Sequence, residues 1–175
     1  MRTKNTFSLN GKKPESPTCF FEKEYNRMTE MSAALDELYW DIEKDGINTH
    51  IIRTINETVN TFYDELSRFF AMEEKLMLKE LREILQEKSM ADSFTNENAN
   101  ILLLFEALKN IFSDNDEIRK EKDLLQAEMI ALADLLQRDA HKKKEILIRE
   151  VNSVLPKDKL DEIRDKLKEG DLAGV

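Results

Sequence analysis

Residues 66–81 read LSRFFAMEEKLMLKEL and lie in the middle of a long predicted helix. One face of that helix alternates steps of four and three residues, which is typical of a buried stripe. The stripe consists of Ile55, Val59, Phe62, Leu66, Phe69, Glu73 and Leu76. Every member except Glu73 is apolar, and a carboxylate in a core is costly unless it is paired, protonated or bound to a metal. Glu73 is therefore the first candidate functional residue.

The composition favours long helices and limits the classes of partner. The chain has 175 residues, of which 41% are hydrophobic and 36% charged, with only 4 Gly and 3 Pro. This low content of helix breakers indicates helices rather than sheet. The net charge of −9 argues against a nucleic-acid surface and against anionic membranes. No apolar run approaches the roughly 18 residues of a membrane span.

Two further features predict a cytoplasmic protein. The N-terminal residues are polar and lack the apolar segment of a secretory signal. The single cysteine, Cys19, excludes an internal disulfide and fits a reducing compartment.

The positions of Gly, Pro and small polar residues divide the chain. We expect residues 1–17 to be irregular or disordered and residues 18–175 to form one domain. Four long helices and a short one are predicted, at about 18–46, 48–89, 95–112, 117–155 and 157–169, with loops at 90–96 and 113–116. This pattern predicts an all-α, antiparallel up-down four-helix bundle with a short C-terminal fifth helix. An extended coiled coil is the alternative, and the loops that interrupt the stripes disfavour it.

Polar residues also lie on the stripes of the third and fourth helices. These stripes run Asn98, Ile101, Phe105, Leu108, Phe112 and Leu125, Met129, Leu132, Leu136, Asp139, Lys143, Ile146. In an antiparallel bundle Glu73, Asn98 and Asp139 could converge at mid-height. Their oxygens suit Mg²⁺, Ca²⁺ or Mn²⁺. We favour the alternative, a buried polar network in which Lys143 or Lys144 pairs with the carboxylates.

Two segments resemble the hemerythrin-like family. One is FFAMEEKLM at 69–77, and the other is DAHKKKEILI at 139–148. The family holds two irons inside a four-helix bundle with five histidines and two carboxylates. The resemblance covers about residues 20–170 and implies the same bundle here.

The same resemblance implies that most metal ligands are replaced. It keeps one ligand carboxylate as Glu73 and places family histidines at Phe69, Asn98, Asp139 and Met28, with Tyr25 as a second candidate for the last position. It places the second carboxylate at Lys144. The resemblance therefore implies the fold and argues against the family's iron or oxygen chemistry. We expect no catalytic, cofactor-binding or metal-binding residues, and no cofactor.

Three functional hypotheses follow. The leading one is a non-enzymatic bundle that binds an unknown protein partner or self-associates, with Tyr39, Trp40 and Ile42 as exposed contact candidates. The second is a metal-binding or redox-sensing protein that holds iron or another divalent metal near Glu73 and Asp139. The third is a small-molecule pocket inside the bundle.

The remaining reactive residues have simpler interpretations. His50 and His141 do not lie on an inward stripe, and Cys19 is predicted to be half-buried and unreactive. The run 142–144 is predicted to be a solvated face with ion pairs along the helix. No phosphate-binding glycine loop and no nucleophile with a base are evident.

Overall fold

The computed structural model describes residues 16–85, 88–111 and 122–169, and it places five helices in them. Helix α1 spans Pro17–Asp45, and α2 continues through Thr49–Glu73, Glu74–Leu78 and Lys79–Leu85. Helix α3 spans Lys88–Ile111, α4 continues through Lys122–Lys142, Lys143–Leu147 and Ile148–Val154, and α5 spans Lys157–Glu169. The predicted all-α bundle is confirmed. The predictions for residues 1–15, Phe112 and the turn at 113–116 lie outside the described residues.

The ends of α1 follow from local sequence. The hydroxyl of Ser16 accepts a backbone N–H of the first turn at 3.1 Å, and proline follows it. At the other end Gly46 has a φ of 68°, and its N–H donates to the carbonyl of Ile42 at 3.0 Å. A side chain on Cβ disfavours this conformation, which explains glycine here. Asn48 then caps α2 by accepting two backbone N–H groups at 3.0 Å.

Contacts between side chains fix the antiparallel arrangement. Between neighbouring helices the partner's number falls as the residue number rises: Tyr25 with Glu73 and Arg27 with Glu65, Ser32 with the backbone carbonyl of Ala133 and Glu43 with Lys122, and Tyr63 with Glu106 and Glu74 with Thr95. Helix α5 then closes against the bundle by burying Ile163 and Leu167. No helix in the described ranges is both long and apolar enough to cross a bilayer.

The predicted loop at 90–96 is wrong, because α3 already begins at Lys88. Ala91 and Phe94 are buried, and they extend the stripe of Asn98 and Ile101 toward the N-terminus by almost two turns. The small polar residues between them suggested a loop. Packing of Phe94 in the core outweighs their weak preference for a turn.

Two π-helical segments interrupt the long helices, and neither was predicted. They span Glu74–Leu78 in α2 and Lys143–Leu147 in α4. The predicted stripe of α2 is buried throughout, but in α4 Ile146 is only half-buried and Leu147 takes its place in the core. A π turn holds more residues than an α turn, so the inward position after Lys143 moves one residue along.

Candidate functional site

The ammonium group of Lys143 lies at the centre of a buried polar cluster. Its Nζ is 2.9 Å from Glu73 Oε2, 2.9 Å from Asp139 Oδ2 and 2.5 Å from Asn98 Oδ1. Lys143 and Glu73 are completely buried, and Asp139 and Asn98 are at most 5% exposed. Three helices therefore bring their polar stripe residues to one cation.

Glu73 is bonded through both of its oxygens. Oε1 accepts the hydroxyl of Tyr25 at 2.6 Å, whereas Oε2 accepts Asn98 Nδ2 at 2.8 Å in addition to Lys143 Nζ. Burial, followed by the charge of Glu73, raises the pKa of Tyr25 well above its usual value of 10. The phenol thus stays protonated and acts as a donor.

Asp139 is the least satisfied member of the cluster. It forms an ion pair with Lys143, but neither of its oxygens has a hydrogen bond of good geometry within the described residues. Burial raises the pKa of Asp139 to about 7, against the opposing charge of Lys143. Burial also raises the pKa of Glu97, but the hydrogen bond and the charge of Lys142, together with the neighbouring Asp139, outweigh this effect and lower it. Asp139 is therefore easier to protonate than an exposed aspartate.

Aromatic rings line the cluster. The Lys143 Nζ lies 4.6 Å from the ring centre of Phe70 and 5.6 Å from that of Tyr25, distances that suit a cation–π interaction. The ring of Phe69 packs on Tyr25 at 5.7 Å. Burial lowers the pKa of Lys143, but the charges of Glu73 and Asp139 outweigh it and raise the pKa overall.

The structure brings together the three residues that the stripes predicted, Glu73, Asn98 and Asp139. The residue that pairs with the carboxylates is Lys143, whereas Lys144 is half-buried. The expectation of a solvated face at 142–144 is therefore wrong for Lys143, because the α4 stripe points it inward.

The other ligand-equivalent positions are apolar and buried. Met28 and Phe69 lie in the core, while Tyr25, the second candidate in α1, reaches Glu73 through its hydroxyl. Sequence reasoning missed Glu97. The signal that could have found it is that Glu97 directly precedes Asn98, where the resemblance places a family histidine. It also missed the cation–π contact of Phe70.

The remaining candidates lie away from the cluster. His50 and His141 are exposed and Cys19 is half-buried, as predicted. Trp40 is 66% exposed and Tyr39 is half-buried, but Ile42 is completely buried, so its prediction as a contact residue is wrong. Ile42 follows Leu38 by four residues and therefore continues the core stripe of α1.

Comparison with known families agrees with the fold. A model of the hemerythrin HHE cation binding domain matches residues 20–151. The chain belongs to the hemerythrin family. The match includes all four members of the cluster and ends three residues before the end of α4. Searches of curated proteins and of solved structures gave no match.

The polar residues of the buried cluster around Lys143 do not fit the di-iron site of the hemerythrin family. No group of three or more His, Cys, Asp or Glu side chains in the described ranges is arranged to hold a metal ion. A buried ammonium lies between the two carboxylates, and it would repel a second cation at this distance. Met28 and Phe69 add apolar side chains where the resemblance places histidines.

Proposed function

We propose that this hemerythrin-like protein is a non-enzymatic binding module in which Lys143 has replaced the metal ions of the family. The observation that carries the proposal is the position of Lys143 Nζ, 2.9 Å from both Glu73 and Asp139. In this arrangement the positive charge that the carboxylates require comes from the chain itself. The bundle is then complete without a cofactor, and it acts through its surface.

Metal content tests the first half of the proposal. The full chain is purified without chelator or affinity-tag metal, and its metal is measured by mass spectrometry beside an absorption spectrum. We expect less than about a tenth of an equivalent of any transition metal and no melting-temperature rise with Fe²⁺ or Mn²⁺, because a ligand that binds the native state would stabilise it. Two equivalents of iron per chain would overturn the proposal.

The second half of the proposal concerns the face around Trp40, the only tryptophan in the chain. Trp40 is 66% exposed, and its ring is held edge-on against Tyr39 at a centroid distance of 5.2 Å. The exposed charged residues nearby in α1 are mostly acidic: Asp36, Glu37, Asp41 and Glu43, of which Glu43 pairs with Lys122, beside a single basic residue, Lys44. A fixed aromatic ring with an acidic border favours a protein partner that presents basic residues around an apolar one.

Photo-cross-linking in cells tests this face. A photoreactive residue at position 40 should give one discrete adduct, and Glu37→Lys with Asp41→Lys should abolish it by reversing the charge. The matched control places the same residue at Leu103, which is 60% exposed on α3, and should give no such adduct. An adduct between two copies of this chain would show that the face mediates self-association instead of binding another protein. Equal labelling at both positions would overturn the role of this face.

One observation favours a second function, a reduced metal site. The Asp139 oxygens lack good hydrogen bonds within the described part of the chain, and Glu97 lies beside them. Such a site would take one divalent cation after displacing Lys143. It predicts stoichiometric binding that is lost in a Glu73→Gln, Asp139→Asn double variant, and the same metal measurement distinguishes it from the leading proposal.

A further inference from the structure

The amine of Lys143 and the side-chain amide of Asn98 are held close enough to react with each other. Nζ of Lys143 is 2.5 Å from Oδ1 of Asn98, and a carbonyl bond is about 1.2 Å long, so Cγ lies within about 3.7 Å of Nζ. This is close to the 3–3.5 Å separation from which bound groups react. Both side chains are buried and come from packed helices, so the loss of freedom that slows reactions in solution has already occurred.

A single oxygen of Glu73 bridges the two nitrogen atoms concerned. Oε2 is 2.9 Å from Lys143 Nζ, the nucleophile, and 2.8 Å from Asn98 Nδ2, the leaving nitrogen. The other oxygen is occupied by the hydroxyl of Tyr25 at 2.6 Å, which orients the carboxylate. Glu73 can therefore remove a proton from one nitrogen and deliver it to the other, as a general base and acid does.

We propose that Lys143 and Asn98 form an intramolecular amide bond, which links α4 covalently to α3 with release of ammonia. Glu73 first takes a proton from the Lys143 ammonium, and the neutral amine attacks Cγ of Asn98. Glu73 passes this proton to Nδ2, the Cγ–Nδ2 bond breaks, and ammonia leaves. Glu73 finally takes the second proton of Nζ. One ammonium, one carboxylate and one amide thus become a secondary amide, a carboxylic acid and ammonia, with no oxidant or reductant.

The reaction removes two charges from the buried core. Before it, Lys143 and Glu73 form an ion pair that is completely shielded from water by Phe70, Tyr25 and Phe69. After it, the amide and the carboxylic acid are both neutral, and Asp139, which loses its partner cation, can take up a proton because burial raises its pKa to about 7. Burying neutral groups costs less than burying ions. The two carboxylates raise the pKa of Lys143, so the neutral amine is a minor species. We therefore expect a slow reaction that the departure of ammonia makes irreversible.

Intact-mass spectrometry of the full chain, followed during incubation at neutral pH, tests the proposal. We expect a species lighter by one ammonia, and after proteolysis a branched peptide that joins the segments containing Asn98 and Lys143. Linear peptides throughout a long incubation would overturn it. Loss of ammonia without a branch would show cyclisation of an asparagine instead and would also overturn it.

Four variants separate the chemistry from the fold. Asn98→Ala and Lys143→Met should give no branched peptide, whereas Asn56→Ala, at an exposed asparagine of α2, should react like the parent chain. Glu73→Gln should slow the reaction by about 100-fold or more, because it removes the proton carrier. Circular dichroism checks that each variant is folded. The branched peptide in the parent chain decides the question even where a variant does not fold.

Asp139→Asn provides the opposite control. It removes one of the two carboxylates that hold Lys143 as an ammonium but leaves Glu73 in place. We expect this variant to react faster than the parent chain, and a rate as low as that of Glu73→Gln would contradict the assigned role of Glu73. The branched peptide tests this inference and the metal content tests the proposed function, so either can fail alone.

Discussion

Lys143 Nζ lies 2.9 Å from Glu73 Oε2, and the two side chains, 70 residues apart in the sequence, are both completely buried. Transfer of each charge out of water costs several kcal/mol, which only close pairing and further hydrogen bonds offset. Loss of one partner is therefore more damaging than loss of both. This asymmetry governs how the core of the bundle responds to mutation.

Removal of one charge should destabilise the fold more than replacement of the whole cluster. We expect Lys143→Met to lower the free energy of unfolding by about 3–5 kcal/mol, because it leaves the carboxylates of Glu73 and Asp139 buried without their cation. Glu73→Gln alone should also be costly, since only Asp139 then pairs with the buried ammonium of Lys143. A matched apolar exchange, Glu73→Leu with Asp139→Leu and Lys143→Met, should cost less. The measurement is urea denaturation in an Asn98→Ser background, which cannot form the amide bond.

The half-buried Lys144 supplies the control for that series. Lys144→Met should change the free energy of unfolding by less than about 0.5 kcal/mol. If the apolar exchange of the whole cluster were more damaging than either single variant, the asymmetry argued for the pair would be absent.

Asp139 should make stability fall as the pH rises from about 4 to about 7. Its pKa is about 7 in the folded chain against an ordinary 3.8, with burial as the main cause. Between these values the folded chain holds a proton that the unfolded chain has lost, so the contribution is complete below about 4 and disappears above about 7. The slope is at most about 1.4 kcal/mol per pH unit.

Denaturation of Asp139→Asn across this pH range checks the effect, because the variant should lack this contribution. Glu24 affects stability in the same direction. Its pKa is also raised to about 7, mainly by burial and secondly by the negative charge of Glu65. Glu24→Gln therefore removes a second, separate part of the slope. Parallel profiles for the parent chain and Asp139→Asn would show that Asp139 does not titrate in this range.

Tyr25→Phe should destabilise the protein through one lost hydrogen bond. The hydroxyl donates to Glu73 at 2.6 Å inside the core, and bonds to charged groups contribute about 1.5–3 kcal/mol. Tyr63→Phe is the matched control, because its hydroxyl donates to Glu106 at 2.8 Å on the surface and its loss should cost less than about 0.5 kcal/mol. Thermal or urea denaturation distinguishes the two, and equal losses would contradict the importance of burial.

Phe94→Ala tests the early start of α3. Phe94 is completely buried, so its truncation should cost about 3–5 kcal/mol. Leu103→Ala, on the same helix but 60% exposed, should change stability by less than about 0.5 kcal/mol. A small loss at Phe94 would favour the loop that the local sequence suggested over the helix.

Periodicity predicted most of the fold, and particular residues show where it stopped. The stripe from Ile55 to Leu76 is buried throughout, as predicted. This prediction succeeded because the helical spacing of apolar residues is a local property of the sequence. The start of α3 was missed, since the small polar residues around Phe94 fit a turn as well as a helix surface. The π segment at Lys143–Leu147 was also missed. It depends on packing against neighbouring helices, and its sequence is compatible with an ordinary α-helix.

The sequence by itself determined that Glu73, Asn98 and Asp139 lie on inward stripes, because helical spacing assigns each residue to a face. Only the tertiary structure decided that Lys143 rather than Lys144 pairs with both carboxylates, that Tyr25 donates to Glu73, and that Asn98 bonds to both Glu73 and Lys143. Those contacts join residues from four helices. Their distances follow from how the helices are placed against one another, which no local pattern of residues specifies.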